Sequence, residues 1–232
     1  MIRVHSFASL GRFRNEWLDA RNHFSFGGYR DPARMGAGAL RVWNDDEIAP
    51  GAGFDPHPHR EMEIVTYVRE GAITHRDSLG NEGRTEAGDV QVMHAGTGIV
   101  HGEFNREATP TRLFQIWIVP GTPRATPGWA TRRFPKDADG LVALADGRAG
   151  ADGGALPLHA DAAVLAASLQ AGQSVTHHLA PGRLAYLVPS IGTVTVNGVA
   201  VDTRDGATIA DEASITITAG VAAEIVLVDV LA

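Results

Sequence analysis

Short runs rich in Val, Ile and Thr recur along the whole chain and constrain its fold more than any other feature. They include Ile64-Val65-Thr66-Tyr67-Val68, Val90-Gln91-Val92-Met93, residues 113–119 and 184–188, Thr193-Val194-Thr195-Val196, Ile215-Thr216-Ile217-Thr218 and residues 224–230. β-branched and aromatic side chains suit a pleated, half-buried surface. Gly, Pro, Asp or Asn bounds most of the runs, within a total of 27 Gly and 12 Pro. Asn197-Gly198 is a two-residue hairpin signal, and Ser78-Leu79-Gly80-Asn81 reads as a wider hairpin tip. Helical signals are few: residues 13–18 and 162–169 are each expected to form a short helix. Regularly spaced strands without helical crossovers predict an all-β chain built as antiparallel barrels or sandwiches.

The segment 131–154 interrupts this rhythm with Gly140, Gly147, Gly150, Gly153 and Gly154 among Ala and Asp. It predicts an N-terminal domain over 1–135, a linker over 136–154 and a C-terminal domain over 155–232. The two sides form a weak repeat. His57-Pro58-His59, a strand, a Gly, a strand, a turn and Ala87-Gly88-Asp89-Val90 on one side parallel His177-His178, a strand, a Gly, a strand, a turn and Asp205-Gly206-Ala207-Thr208 on the other. The second copy has no counterpart of the later His-rich segment and is therefore expected to be degenerate and metal-free.

The sequence contains no cysteine, which excludes disulfides, thiolate metal sites, iron–sulfur clusters and a cysteine nucleophile. Any metal must be held by histidines and carboxylates. The formal net charge is −7, Lys136 is the only lysine, and no basic run exceeds Arg132-Arg133. Direct nucleic-acid binding needs a basic stripe, and none is present. The N-terminal segment lacks the apolar core of a secretory signal, and no stretch approaches a membrane span. A soluble, cytoplasmic protein is expected.

Two segments carry chemistry: Gly51 to Glu63, containing His57-Pro58-His59, and Gly96 to Asn105, containing His101-Gly102-Glu103. Residues i and i+2 of an extended chain point to one face, so His57 and His59 project together, as do His101 and Glu103. On facing strands these four donors converge. Three imidazoles and one carboxylate suit Fe(II), Cu(II), Ni, Co, Mn or Zn, in an open site of catalytic type.

Gly51, five residues, His57-X-His59, three residues and Glu63 resemble the first cupin motif. Gly71 follows one residue later than the usual spacing. Gly88 through Gly98-X-X-His101-X-X-X-Asn105 resembles the second motif, with His94 in the slot usually held by Pro and Gly98 two residues further along. Within cupins the chain resembles the pirin family in its short bacterial form. The matching stretches are His23-Phe24-Ser25-Phe26-Gly27-Gly28-Tyr29-Arg30-Asp31-Pro32, Gly38 to Asp46 (with Arg41, Trp43 and Asn44-Asp45-Asp46), His57-Pro58-His59-Arg60, and Ala95 to Glu103. They cover residues 1–130, and the weak repeat alone extends the likeness further.

The resemblance implies a bicupin, two tandem cupin-like β-barrels or sandwiches, whose N-terminal barrel holds one metal, most often Fe(II). It implies quercetin 2,3-dioxygenase-like activity, in which O2 opens the central ring of a flavonol and carbon monoxide leaves. Carried over by position, the metal ligands are His57, His59, His101 and Glu103. In cupins generally the carboxylate is that of the first motif, Glu63; with Glu103 as ligand, Glu63 is expected to orient a ligand imidazole or pair with Arg60. Glu103 is then also the candidate catalytic base. Pirins are also described as regulatory proteins, so the alternative is a metal- or redox-sensing module that binds a partner protein without turnover.

The remaining candidates have plainer expectations. Val65, Tyr67, Val92, Phe114, Ile116 or Ile118 would wall the substrate site. His75 reads as a strand surface residue and His94 as a hydrogen-bonding residue of a turn. His5, His23 and His159 read as structural or exposed. His177 and His178 are adjacent and should face opposite sides of a strand. Asn44-Asp45-Asp46 reads as a turn after a strand.

Overall fold

The computed structural model describes residues 1–136, 140–150 and 154–232. Four antiparallel-dominated sheets form two similar halves. In the first half a seven-stranded sheet runs in the order Gly128–Arg133, Asp89–His94, Glu63–Glu70, Thr111–Ile118, Leu40–Ile48, Leu18–Asn22 and Gly11–Arg14. It faces a four-stranded sheet ordered Gly53–His59, Ile99–Phe104, Ala72–Asp77 and Glu82–Glu86. The second half repeats this plan, with a seven-stranded sheet built around Arg183–Ile191 and Ala223–Leu231 and a four-stranded sheet built around Ser214–Ala219.

The period of two assigns the faces. Val65 and Tyr67, Val90 and Val92, and Phe114, Ile116 and Ile118 project from one face of the first large sheet. They pack against Val164, Tyr186, Val188, Val226 and Val228 of the second large sheet in one shared core. The C-terminal half thus covers an apolar sheet face that would otherwise meet water. The opposite face of the first sheet turns into its own barrel. Leu18, Ile48, Val68, Ile73 and Leu113 pack at one end, and Ile64, Met93, Ala95 and Ile99 at the other. Between them stand buried polar groups, Thr66, His75, Gln91, His101, Glu103 and Gln115. The second barrel is filled with aliphatic residues instead, among them Leu165, Leu187, Ile209, Ile215, Ile217 and Leu227. Its His177 is spoken for, with Nε2 2.9 Å from Asp229 Oδ2.

Neither expected short helix forms. Residues 13–18 straddle the turn between Gly11–Arg14 and Leu18–Asn22, where Asn15 Oδ1 accepts hydrogen bonds from the amides of Trp17 and Leu18. Ala162–Leu169 is rich in the best helix former, but both of its faces are buried. Ala162, Val164 and Ala166 meet the shared core while Ala163, Leu165 and Ala167 meet the second barrel. Burial on alternate sides overrides helix propensity. The hairpins at Asn197-Gly198 and at residues 78–81 are present.

The segment read as a linker holds a strand, Val142–Asp146, paired antiparallel with Ala162–Leu169. The chain start also crosses over: Ile2–His5 pairs with Gly206–Ala210 of the second large sheet. Asn44-Asp45-Asp46 is no turn, because it lies inside Leu40–Ile48, where Asp45 binds Arg69 and Arg204. No helix among the described residues is long and apolar enough to cross a membrane.

Candidate metal centre

Strands Gly53–His59 and Ile99–Phe104 are antiparallel neighbours, with His101 opposite His57 and Ile99 opposite His59. The register shifts between His101 and Glu103, so that Glu103 pairs with Phe54. Gly53 permits this approach, because a Cβ there would stand 2.2 Å from the Glu103 carbonyl oxygen. The three imidazole centroids are 4.6 to 5.0 Å apart. One ring nitrogen from each of His57, His59 and His101 lies within 4.8 Å of the other two.

The donor set fits a transition metal. His57 Nδ1 is 2.7 Å from the Asp55 carbonyl oxygen, which must accept a hydrogen. That fixes the proton on Nδ1 and leaves the Nε2 lone pair for a ligand bond. His59 Nε2 is buried and has no hydrogen-bond partner. Burial, reinforced by His57, lowers the His59 pKa to about 4. Burial and the neighbouring histidines lower that of His101 to about 2. Both rings are therefore neutral at neutral pH and present lone pairs.

Glu103 is 1% exposed, and its Oε1 accepts a 2.6 Å hydrogen bond from Gln91 Nε2. Gln115 Nε2 donates to the other oxygen. Burial raises the Glu103 pKa to about 7, against the opposing pull of these donors. The structure therefore brings the three histidines together, with Glu103 beside them. The carboxylate groups with His75 and His101 rather than with the whole triad.

His75 is a residue the sequence reading placed at the surface; it is fully buried. Its Nδ1 lies 3.4 Å from His101 Nδ1, and its Nε2 lies 3.0 Å from Asp77 Oδ2. One proton assignment satisfies the row: His75 Nε2–H donates to Asp77, His75 Nδ1 accepts from His101 Nδ1–H, and His101 Nε2 is free to ligate. The His75 ring stacks on Trp129 at 5.0 Å and 8°. Gly83, opposite His75 in the register, opens the slot, since a Cβ there would stand 2.2 Å from the Trp129 ring. The signal was present in Ile73-X-His75-X-Asp77: His75 shares the face of the core residue Ile73.

Glu63 stands apart from the triad. Its Oε2 is 2.6 Å from His94 Nδ1 and accepts the His159 amide at 2.9 Å. It neither orients a ligand imidazole nor pairs with Arg60; it ties the first barrel to the start of the second half. His94 is thus a buried partner of Glu63 at the end of a strand, and its ring packs 4.7 Å from His159. His23 is buried, with Nδ1 2.8 Å from the Tyr186 hydroxyl.

His57 and His59 border a cavity of about 470 Å³ whose walls are Trp17, Phe26, Phe54 and Trp117, with Asn44, Asp46, Glu103 and Gln115 as polar lining. Phe26 meets Trp117 edge-on at 5.3 Å, and Trp17 meets Phe54 at 5.1 Å. The expected walls Val65, Tyr67, Val92, Phe114, Ile116 and Ile118 are on the other sheet face, in the core between the halves. Side chains do alternate along each strand, but the apolar face is the one another sheet covers.

The model of the Pirin family matches residues 4–118, and a model described as the quercetinase C-terminal cupin domain matches 142–230. A pirin-like protein of Caulobacter vibrioides is 57% identical over 231 residues, 99% of each chain. The chain belongs to the pirin family. Another relative of this pirin is a quercetin 2,3-dioxygenase of Escherichia coli, 41% identical over 99% of this chain and 98% of its own. A bacterial pirin of Escherichia coli solved in complex with nickel(II) superposes with a TM-score of 0.94 at 40% identity, covering 100% of this pirin and 99% of that chain. The two halves are thus cupin domains, and the histidine cluster is a candidate metal site in the first.

Proposed function

We propose that this pirin is a metal-dependent dioxygenase that uses O2 to open the central ring of a flavonol, with release of carbon monoxide. The observation that carries the reading is the convergence of three imidazoles, two of which border an aromatic-walled cavity of about 470 Å³ that is ample for a flat fused-ring ligand. His57, His59 and His101 would hold the metal, Fe(II) on this reading, with Glu103 as the fourth ligand. Bound there, the metal supplies a Lewis-acidic seat for a substrate oxygen and redox exchange with O2.

The protein's own groups do the rest. The Asp55 carbonyl and the His75–Asp77 pair hold the proton of His57 and of His101 on Nδ1, away from the ligating face. The edge-on aromatic pairs orient a planar substrate and exclude water. Glu103 would accept the proton of the substrate's enolic hydroxyl, and the amides of Gln91 and Gln115 that donate to its two oxygens hold the carboxyl in place. The test is O2 uptake coupled to carbon monoxide release, measured per metal bound. No turnover of any flavonol by fully metallated protein would refute the enzyme reading and favour partner binding.

A further inference from the structure

Strand Leu40–Ile48 places two aspartates side by side with opposite fates. Asp45 points to the inter-half face, where Arg69 and Arg204 both bind it. Asp46 points into the first barrel, is 2% exposed, and its Oδ1 has no hydrogen-bond partner. Its register neighbours are Leu113 and Ala20, which offer it no side-chain donor. Among the described residues no side-chain hydrogen bond reaches Asp46. Buried polar groups are almost always partnered, because losing water without a replacement is costly, and more so for a charge.

The cavity supplies the context. Asp46 lines the chamber bordered by His57 and His59 and also a second cavity of about 230 Å³. Phe26, Asn44 and Phe54 border both spaces as well. The second space has none of the metal-site histidines; Phe13, Leu18, Ala20 and Asn22 line it instead. It is a mostly apolar annex that shares Phe26, Asn44, Asp46 and Phe54 with the metal chamber. Asn22 repeats the pattern of Asp46: its Nδ2 donates to Asn44 Oδ1 at 2.8 Å, while its own Oδ1 is buried and unpartnered. The annex is therefore a mostly apolar pocket of about 230 Å³ that borders two residues with idle acceptor oxygens.

We propose that this annex receives the substrate ring remote from the metal, and that Asp46 selects substrates carrying a hydroxyl on that ring by accepting its hydrogen bond. The inference rests on the flavonol reading and adds a substrate class to it. Asn22 serves as a second, weaker acceptor for a further hydroxyl.

The test compares two flavonols alike in the reacting ring, one hydroxylated on the pendant ring and one bare. Equilibrium binding to metal-loaded protein is measured without O2, and turnover is measured with it. Partnering a buried idle acceptor is worth about 1–3 kcal/mol, so the parent should prefer the hydroxylated member by about 5- to 150-fold. Asp46→Ala should compress that preference to about threefold or less. Asp46→Asn keeps the shape and an amide acceptor while removing a buried unpaired acid, so it should melt no lower than the parent and recover part of the preference that Asp46→Ala loses. A residue needed only for structure would give the reverse pattern, a lowered melting temperature with the preference intact. Equal binding of the two flavonols by a parent that turns them over overturns this inference alone. Failure of the metal-loaded parent to bind or turn over either one overturns the flavonol reading and the inference with it.

Discussion

Replacing His75 with Phe isolates the least expected part of the metal site. Phe fills the slot opposite Gly83 and keeps the stack on Trp129, so packing is nearly conserved. What disappears is the acceptor 3.4 Å from His101 Nδ1. His101 is 2% exposed, so water does not readily replace it. The ring then has two choices. It keeps its proton on Nδ1 as a buried orphan, at about 1–3 kcal/mol, or moves the proton to Nε2, the atom a metal requires. Either way metal binding is weakened by that amount. The 3.4 Å separation is long for a hydrogen bond, which places the effect near the low end: about 1.4 kcal/mol, or about tenfold in affinity. Competition titration against a chelator of known affinity, with thermal melts alongside, measures it. His75→Gln, which can place an amide oxygen near His101, should recover part of the loss. Unchanged affinity, within twofold, in a folded His75→Phe protein would falsify the positioning argument. Asp77 is a poorer target, because it also accepts the amides of Leu79 and Asn81 and shapes the hairpin.

His57→Ala and His101→Ala should each abolish most metal binding, read as metal content per chain; full content in both would remove the site assignment. Glu103→Gln should retain part of the metal and lose about 10²–10⁴-fold in turnover per metal, the size of a general-base contribution. Equal turnover would leave the enzyme and discard that role. Asp45→Ala strips Arg69 and Arg204 of a buried counter-charge and should destabilise the protein by about 3–5 kcal/mol in denaturant unfolding; a change below about 1 kcal/mol would contradict a buried pair. Burial lowers the His23 pKa from 6.5 to about 3, so the unfolded chain binds that proton first as pH falls. Stability should therefore drop from pH 6.5 toward 3 by a few kcal/mol, visible as a falling melting temperature, and a flat profile over that window would contradict the neutral buried ring.

Much of this was legible in the sequence because it rests on local rules. Alternation and turn chemistry give β-structure and its hairpins, and the absence of Cys limits the metal donors to nitrogen and oxygen. His57-X-His59 and His101-X-Glu103 follow from the two-residue period of a strand, and the structure does bring the three histidines together. Faces, partners and depth were not legible, because they depend on which sheet covers which. Period two predicts that Val65 and Tyr67 share a side; only strand pairing adds Phe114 to it, and only the docking of the second large sheet makes that side a core and leaves the opposite, partly polar side to the cavity. The alanines of Ala162–Leu169 read as helix until two layers bury them from both sides. Asp45 and Asp46 are indistinguishable as letters, yet one meets two guanidinium groups and the other none. His75 and Glu63 exchange their expected places for the same reason: a long-range neighbour, His101 in one case and His94 in the other, decides what a buried side chain is for.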